Sequence, residues 1–288
     1  MNQELLKHPL TKASIQVRGK LLSFGQPLVM GILNATPDSF HDESRVMDVD
    51  SALKQAERHI QAGAHILDLG AYSTRPGASD IPIEEERRRL LPLVEKISQN
   101  FPDIPLSVDT FRSELAKETI AAGAGIINDI SAGDADPAML FTVAQMGVPI
   151  ILMHKKGMPA NMQNNPQYQD VVGEVFDYLI KKKGEARSLG IRDVILDVGF
   201  GFGKSATHNF SLMKHLSVYR ELNEPLLVGV SRKGMVWRNL GIHAREALNG
   251  TTALHMQALL NGANILRVHD VKEALECIRL YKFIEEAP

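Results

Sequence analysis

One pattern recurs eight times along this chain: a short apolar run ends abruptly in polar or charged side chains. A near-continuous apolar run is typical of a parallel strand covered on both faces, and α/β proteins place their chemistry just past the carboxyl ends of such strands. Each recurrence therefore predicts a strand end. The polar segments are 34–40, 68–70, 107–110, 127–129, 152–154, 196–199, 229–233 and 267–270.

Helical patterns separate these strand ends. The pattern over 51–62 stops at Gly63 and the one over 112–122 stops at Gly123, which is typical of helix ends. Eight strand-helix units at a spacing of roughly thirty residues predict an α/β fold, a single (β/α)8 TIM barrel. An open doubly wound sheet is the alternative, but no Gly-x-Gly-x-x-Gly turn follows the first strand.

The segment ahead of the first strand predicts a hairpin. Residues 15–26 alternate weakly in polarity and contain Gly19 and Gly25. We expect this short hairpin to plug the bottom of the barrel, at its amino-terminal mouth. The expected division is an N-terminal extension and hairpin over 1–27 and the barrel over 28–288.

Composition limits the possible partners and compartment. The 288 residues carry a formal net charge of −2 without a long basic block, which argues against nucleic acid or an anionic membrane as the main partner. Cys277 is the only cysteine, so an internal disulfide and a thiolate-rich metal site are excluded, and its neighbours indicate a core position. No apolar run reaches signal-peptide length or the ~18 residues of a membrane span. These features predict a cytoplasmic protein.

Strand ends converge in a barrel, so the polar residues that follow them are expected to ring one cavity. A heterocycle with adjacent N–H donors is bound well by a buried carboxylate, and Asp109 or Asp197 suits that role. An anionic group favours Arg267 and His269, and the Asn34 side-chain oxygen is a candidate metal ligand. The whole ring comprises Asn34, Asp68, Asp109, Asn128, Met153, Asp197, Lys233, Arg267 and His269.

The glycine-rich stretch 199–205 has some features of a phosphate-binding P-loop. The Gly-x-x-x-x-Gly-Lys-Ser pattern requires glycine where this chain has Val198, so the match fails by one residue. We expect instead that the glycines let the backbone approach a flat ligand, with Lys204 free to contact it.

Eight motifs, in the same order, resemble those of the dihydropteroate synthase family of folate biosynthesis. They cover 33–40, 73–78, 107–110, 127–129, 152–154, 199–204, 231–233 and 267–270, essentially the whole barrel. The resemblance implies condensation of 6-hydroxymethyl-7,8-dihydropterin diphosphate with 4-aminobenzoate, giving 7,8-dihydropteroate and diphosphate, with Mg²⁺ assisting. It also implies a homodimer and an aminobenzoate site for which sulfonamides compete.

The resemblance further implies a role for individual residues. The pterin-binding set is Asp109, Asn128, Asp197 and Lys233, with Met153, Phe202 and Gly229 completing the substrate contacts there. Arg267 is expected to pack on the pterin and meet the anion, while His269 and Asn34 contact the diphosphate and Mg²⁺. The aminobenzoate site matches Phe40, Thr74, Arg75 and Pro76. The expected catalytic residues are Asp109, Lys233, Arg267 and His269.

The chain departs from the commonest family pattern at Tyr72, Val198 and Gly234, none of which is an expected ligand. A pterin-binding methyltransferase is the main alternative within the fold, but the motifs at 73–78 and 231–233 favour the synthase. A pterin-binding protein without turnover is the alternative of another class, and an assay of diphosphate release separates it from an enzyme.

Overall fold

The computed structural model describes residues 12–34, 49–71, 81–157, 162 and 165–288. Eight of the described strands form a closed parallel barrel, because the last strand pairs with the first, Ile265 opposite Leu28. This closure confirms the predicted (β/α)8 barrel and rules out the open sheet. The barrel strands are β3 (Leu28–Asn34), β4 (Ile66–Gly70), β5 (Leu106–Asp109), β6 (Ile126–Asp129), β7 (Ile150–Met153), β8 (Val194–Asp197), β9 (Leu226–Val228) and β10 (Ile265–Val268).

Helices follow the strands around the outside of the barrel. They are α1 (Val49–Gln61), α2 (Ile83–Asn100), α3 (Ser113–Ala121), α4 (Met139–Met146), α5 (Val171–Ser188), α6 (Ala206–Lys214), α7 (Gly234–Leu240), α8 (Leu248–Leu260) and α9 (Val271–Glu286). Two 3₁₀ helices, Leu216–Leu222 and Ala244–Glu246, were not predicted from the pattern. The helical spacing of the sequence predicts one helix over 245–260, but the second 3₁₀ helix lies at its start and α8 begins only at Leu248.

The predicted hairpin is confirmed and closes the bottom of the barrel. It consists of antiparallel strands β1 (Ser14–Val17) and β2 (Lys20–Ser23). Ile15 and Val17 lie in the same buried apolar cluster as the first inward-facing residues of the barrel strands. The Gln16 N–H also donates to Asp193 Oδ2 at 2.9 Å, just before β8. The hairpin is therefore fixed to the barrel by packing and by a hydrogen bond.

The interior of the barrel changes character over two residues. Its lower layer is apolar and contains Met30, Ile66, Ile126, Ile151, Ile195, Leu227 and Ile265. Because side chains alternate between the two faces of a strand, the next inward-facing residue lies two positions further on. Those residues are Ile32, Asp68, Asn128, Met153, Asp197, Gly229 and Arg267. The polar residues predicted at the strand ends thus form a layer directly above an apolar floor.

Two smaller expectations concern Cys277 and membrane association. Cys277 is buried on α9, as predicted, and burial raises the pKa of its thiol to about 11. Among the described helices, none combines the length and apolar character that crossing a membrane requires. A cytoplasmic location and the division at residue 28 stay predictions.

Candidate active site

Asp68 is the centre of the polar layer. This fully buried carboxylate on β4 accepts hydrogen bonds through Oδ2 from Arg267 Nε at 2.6 Å and from Asn128 Nδ2 at 3.1 Å. Arg267 also lies with its Nη2 2.6 Å from Asp68 Oδ2 and 3.3 Å from Asp109 Oδ2. One carboxylate oxygen therefore links strands β4, β6 and β10, and the guanidinium extends the network to β5.

Lys233 contacts the glycine-rich loop that follows β8. Its ammonium donates to the Phe200 carbonyl at 2.6 Å and lies 4.8 Å from the centre of the Phe202 ring. Gly229 lies beneath it, because a Cβ added there would be 3.7 Å from Lys233 Nζ and 3.9 Å from Arg267 Cβ. Asp197 is buried and accepts the Gly199 N–H at 2.8 Å. A carboxylate, an ammonium and an aromatic ring thus lie around one space.

The glycine-rich loop serves packing between loops, which corrects the expectation for Lys204. Lys204 is buried, and its ammonium donates to the carbonyls of Gly199 at 2.9 Å, Phe202 at 3.1 Å and His154 at 3.2 Å. It is therefore not free to contact a ligand. Gly199 has φ of +70°, and a Cβ there would lie 1.8 Å from the His154 carbonyl oxygen. Lys204 and Gly199 fix the loop that carries Phe200 and Phe202.

A second loop holds the rim residues at the end of β10. Ser231 Oγ lies 3.1 Å from His269 Nδ1 and accepts the His269 backbone N–H at 3.2 Å. Between Ser231 and Lys233, Arg232 adopts the left-handed region with φ of +53°, a conformation unfavourable for a non-glycine residue. A bidentate ion pair with Asp270, with both contacts at 2.8 Å, holds it there. The turn therefore fixes both Ser231 and Lys233.

Burial moves several charges of this layer toward their neutral forms. It raises the pKa of Asp109 to about 7, with the nearby Asp68 carboxylate contributing to the rise and Arg267 opposing it. Burial likewise raises the pKa of Asp197, although Lys233 opposes this shift. The pKa of Lys233 falls to about 8 because its burial outweighs the attraction of Asp197. Such opposed shifts at one cleft are typical of a functional site.

The structure brings most of the predicted residues together. Asp109, Asn128, Asp197, Lys233 and Arg267 lie in or beside the polar layer, as do Met153, Phe202 and Gly229. His269 and Asn34 are exposed, at the end of β10 and of β3. Phe40, Thr74, Arg75 and Pro76 lie outside the described residues.

The sequence includes Asp68 among the strand ends but gives no sign that it is the centre of the network. Ser231, which contacts His269, and Arg232, which holds the turn, are also missed as individual residues. The motif at 231–233 points to this turn as a whole but does not distinguish the roles of Ser231 and Arg232.

The comparisons with known proteins agree with this geometry. A family model described as pterin binding enzyme matches residues 30–269. The dihydropteroate synthase of Escherichia coli (strain K12) is 44% identical over 265 residues, which cover 91% of this chain and 93% of that protein. The chain belongs to the dihydropteroate synthases, a family of pterin-binding enzymes. This family joins a pterinylmethyl diphosphate to 4-aminobenzoate, as the motifs imply.

Two solved synthases show the same fold. The Yersinia pestis dihydropteroate synthase, in complex with a sulfonamide drug, superposes with a TM-score of 0.90 at 40% identity, covering 95% of this chain and all of that one (100%). The Xanthomonas albilineans dihydropteroate synthase, in complex with 7,8-dihydropteroate, gives a TM-score of 0.85 at 37% identity, covering 96% and 100%.

Proposed function

We propose that the family's condensation takes place in the polar upper layer of this barrel, with the pterin held by Asp109, Asn128, Asp197 and Lys233. The observation that carries this assignment is the convergence of two carboxylates, an amide and an ammonium above a closed apolar floor. Buried carboxylates accept paired N–H donors, which a pterin ring edge supplies. Met153 and Phe202 supply apolar contact for the flat ring.

The reaction needs charge stabilisation more than a protein nucleophile. The carbon–oxygen bond between the pterin methylene and the diphosphate breaks, and its electron pair leaves with the diphosphate. The aminobenzoate nitrogen then forms the new carbon–nitrogen bond and loses a proton. We assign Asp109 and Asp197 to favour the cation spread over the pterin ring, and Arg267 and His269 to stabilise the departing anion.

The residues present fit a magnesium ion that relies largely on its substrate. Asn34 offers an exposed amide oxygen at the end of β3, while the described residues contain no group of three His, Cys, Asp or Glu suited to hold a metal. Mg²⁺ often takes only one or two protein ligands and fills its shell with substrate phosphates and water. When bound, it would neutralise negative charge on the diphosphate. We propose Asn34 as its protein ligand.

The aminobenzoate site is proposed for Phe40, Thr74, Arg75 and Pro76. The described chain resumes at Ile81, whose carbonyl accepts from Arg112 Nη2 at 2.7 Å, and Arg112 Nη1 binds the buried Glu86 at 2.6 Å. This anchor lies just after β5, the strand that ends at Asp109, and it supports assigning 4-aminobenzoate to the same end of the barrel as the pterin. Steady-state inhibition by a sulfonamide should be competitive with 4-aminobenzoate, and non-competitive inhibition would remove these residues from the second site.

We also propose a homodimer formed through the late helices. Leu280, Phe283 and Ile284 lie at i, i+3 and i+4 on α9 and are exposed, Phe283 at 71%. This spacing gives one apolar stripe on the helix surface. Analytical ultracentrifugation should give twice the chain mass for the wild type and the single chain mass for Phe283→Glu. A monomeric wild type would contradict the proposal.

The direct test of the function uses the purified chain with both substrates and Mg²⁺. We expect diphosphate and 7,8-dihydropteroate to appear in equal amounts and only when 4-aminobenzoate is present. Diphosphate release without 4-aminobenzoate would indicate hydrolysis instead. Binding of the pterin diphosphate without any product would favour the binding protein.

A further inference from the structure

We propose that Asp68 is a positioning residue, which fixes the face that Asn128 and Arg267 present to the pterin diphosphate. The inference deepens the proposed function and rests on it. Asp68 is fully buried on β4, in the same layer as Asn128 and Arg267, and its Oδ2 accepts from both partners. Its hydrogen bonds therefore act on the substrate through these two side chains.

The contact with Asn128 decides which end of the amide faces the ligand. An ionised carboxylate only accepts hydrogen bonds, so Asn128 must turn its Nδ2 toward Asp68, as the 3.1 Å contact has it. Its Oδ1 acceptor is then directed away from Asp68. Asn128 alone offers either a donor or an acceptor. Paired with Asp68 it offers an acceptor, which matches the N–H donors of a pterin edge.

The contact with Arg267 fixes the plane of the guanidinium. Asp68 Oδ2 lies 2.6 Å from both Nε and Nη2, a side-on arrangement that leaves little freedom to rotate. Among the described residues, Nη1 has no partner. An arginine held in this way keeps its flat face and one N–H pair for a ring and an anion.

Among the described residues, no other hydrogen bond accounts for a buried carboxylate at position 68. Its Oδ1 is buried and has no hydrogen-bond partner in the described part of the chain, and neither has the Oγ of Ser107, its partner in the β4–β5 register. A buried ion pair is weak evidence for stability, because well-packed apolar residues often do as well or better. The hydrogen bonds to two substrate-facing side chains therefore favour a positioning role.

The test is Asp68→Asn, which keeps the shape but removes the charge. An amide at this position pairs with Asn128 in either orientation and releases Arg267 toward Asp109. We expect KM for the pterin diphosphate to rise about 10- to 100-fold, the effect typical of losing a charge-assisted hydrogen bond. We expect KM for 4-aminobenzoate to stay within about twofold, because Asp68 acts only on the pterin side.

Asp129→Asn is the matched control. Asp129 is equally buried and follows Asn128 directly, but it accepts from the backbone N–H groups of Ser131 and Gly133 in its own loop. Asp129→Asn should lower thermal stability without changing KM for the pterin diphosphate. A loss of binding caused only by a loosened barrel would appear in both variants.

A double-mutant cycle tests the route through Asn128. If Asp68 acts through this amide, Asp68→Asn should weaken pterin diphosphate binding less in an Asn128→Ala background than in the wild type, as measured by calorimetry. Wild-type KM in a folded Asp68→Asn would overturn the proposal. So would full additivity in this cycle, if Arg267→Ala also weakened binding equally with and without Asp68→Asn. Failure of the wild type to bind the pterin diphosphate would instead count against the proposed function.

Discussion

The two mouths of the barrel are built from the same eight strands, yet their side chains differ in packing and in electrostatics. At the lower mouth, Ile126 and its neighbours pack against the hairpin. The carboxylates of this end, Asp193 and Glu224, have cationic partners on other elements. At the upper mouth, Asp109 and Lys233 have pKa values shifted to about 7 and about 8 by burial.

This difference separates stability from function along each strand. The lower layer gains free energy of folding from apolar burial, while the upper layer holds ionisable groups whose pKa values burial shifts toward their neutral forms, as is typical of a functional site. Ile126 and Asn128 are two residues apart on β6, and Asp193 lies four residues before Asp197. Paired substitutions at the two ends therefore test the separation directly.

The largest effect is expected for Arg267→Ala. The change leaves Asp68 and Asp109 without their shared cation. Removing one partner of a buried ion pair lowers the free energy of unfolding by about 3–5 kcal/mol. We expect kcat/KM for the pterin diphosphate to fall at least about 100-fold. Arg187→Ala is the lower-mouth control, because it removes a cation from the buried Glu224. It should lower the melting temperature and leave kcat/KM unchanged, and an equal kinetic loss would break the comparison.

The next largest effects are expected for substitutions of Ile126 and Asn128 on β6. Ile126→Ala removes buried apolar volume from the floor, for which we expect about 2–5 kcal/mol less free energy of unfolding in a denaturant titration. Affinity for the pterin diphosphate should persist in the folded fraction. Asn128→Ala should show the reverse, with weakened binding and a smaller loss of stability. If Ile126→Ala weakened binding as strongly as Asn128→Ala, the two layers would not be independent.

A smaller effect is expected at β8. Asp197→Asn removes a charged acceptor from the pterin site, so calorimetry should show binding of the pterin diphosphate weakened about 10- to 100-fold. Asp193→Asn weakens two contacts at the lower mouth. These are the ion pair with Lys12 Nζ and the hydrogen bond from the Gln16 N–H of the hairpin, each 2.9 Å long in the wild type. Its pterin affinity should match that of the wild type. Wild-type affinity in Asp197→Asn would remove this residue from the site.

The pH dependence gives the smallest effect. Protonation of Asp109 removes its negative charge and turns one acceptor oxygen into an O–H donor, so kcat/KM for the pterin diphosphate should fall as the pH drops through about 7. Lys233 acts as a cation, so the same constant should fall as the pH rises through about 8. Asp68→Asn should move the acid limb to lower pH, because removing the Asp68 charge lowers the pKa of Asp109.

The substrate diphosphate titrates equally in every variant and cancels from the comparison. Asp193→Asn should keep both limbs of the wild-type profile. An acid limb that stays fixed in Asp68→Asn would show that Asp109 does not control it.

The sequence predicts the barrel and much of the upper layer because both follow local rules. Apolar runs that end in polar residues mark the strands, and alternation along a strand sends Asn128 and Asp197 to the same interior. The role of Lys204 could not be predicted in this way, since it depends on the carbonyl of His154 in another loop. The role of Asp68 depends on Arg267, 199 residues away along the chain. Only the closed barrel brings these two together.

A crystal structure of the chain with bound 6-hydroxymethyl-7,8-dihydropterin tests the account most directly. We expect the ring in the upper layer, with its N–H donors on Asn128 Oδ1 and the Asp197 carboxylate, and with Asn128 Nδ2 still bound to Asp68. A pterin bound elsewhere, or an Asn128 amide turned to donate to the ring, would contradict it.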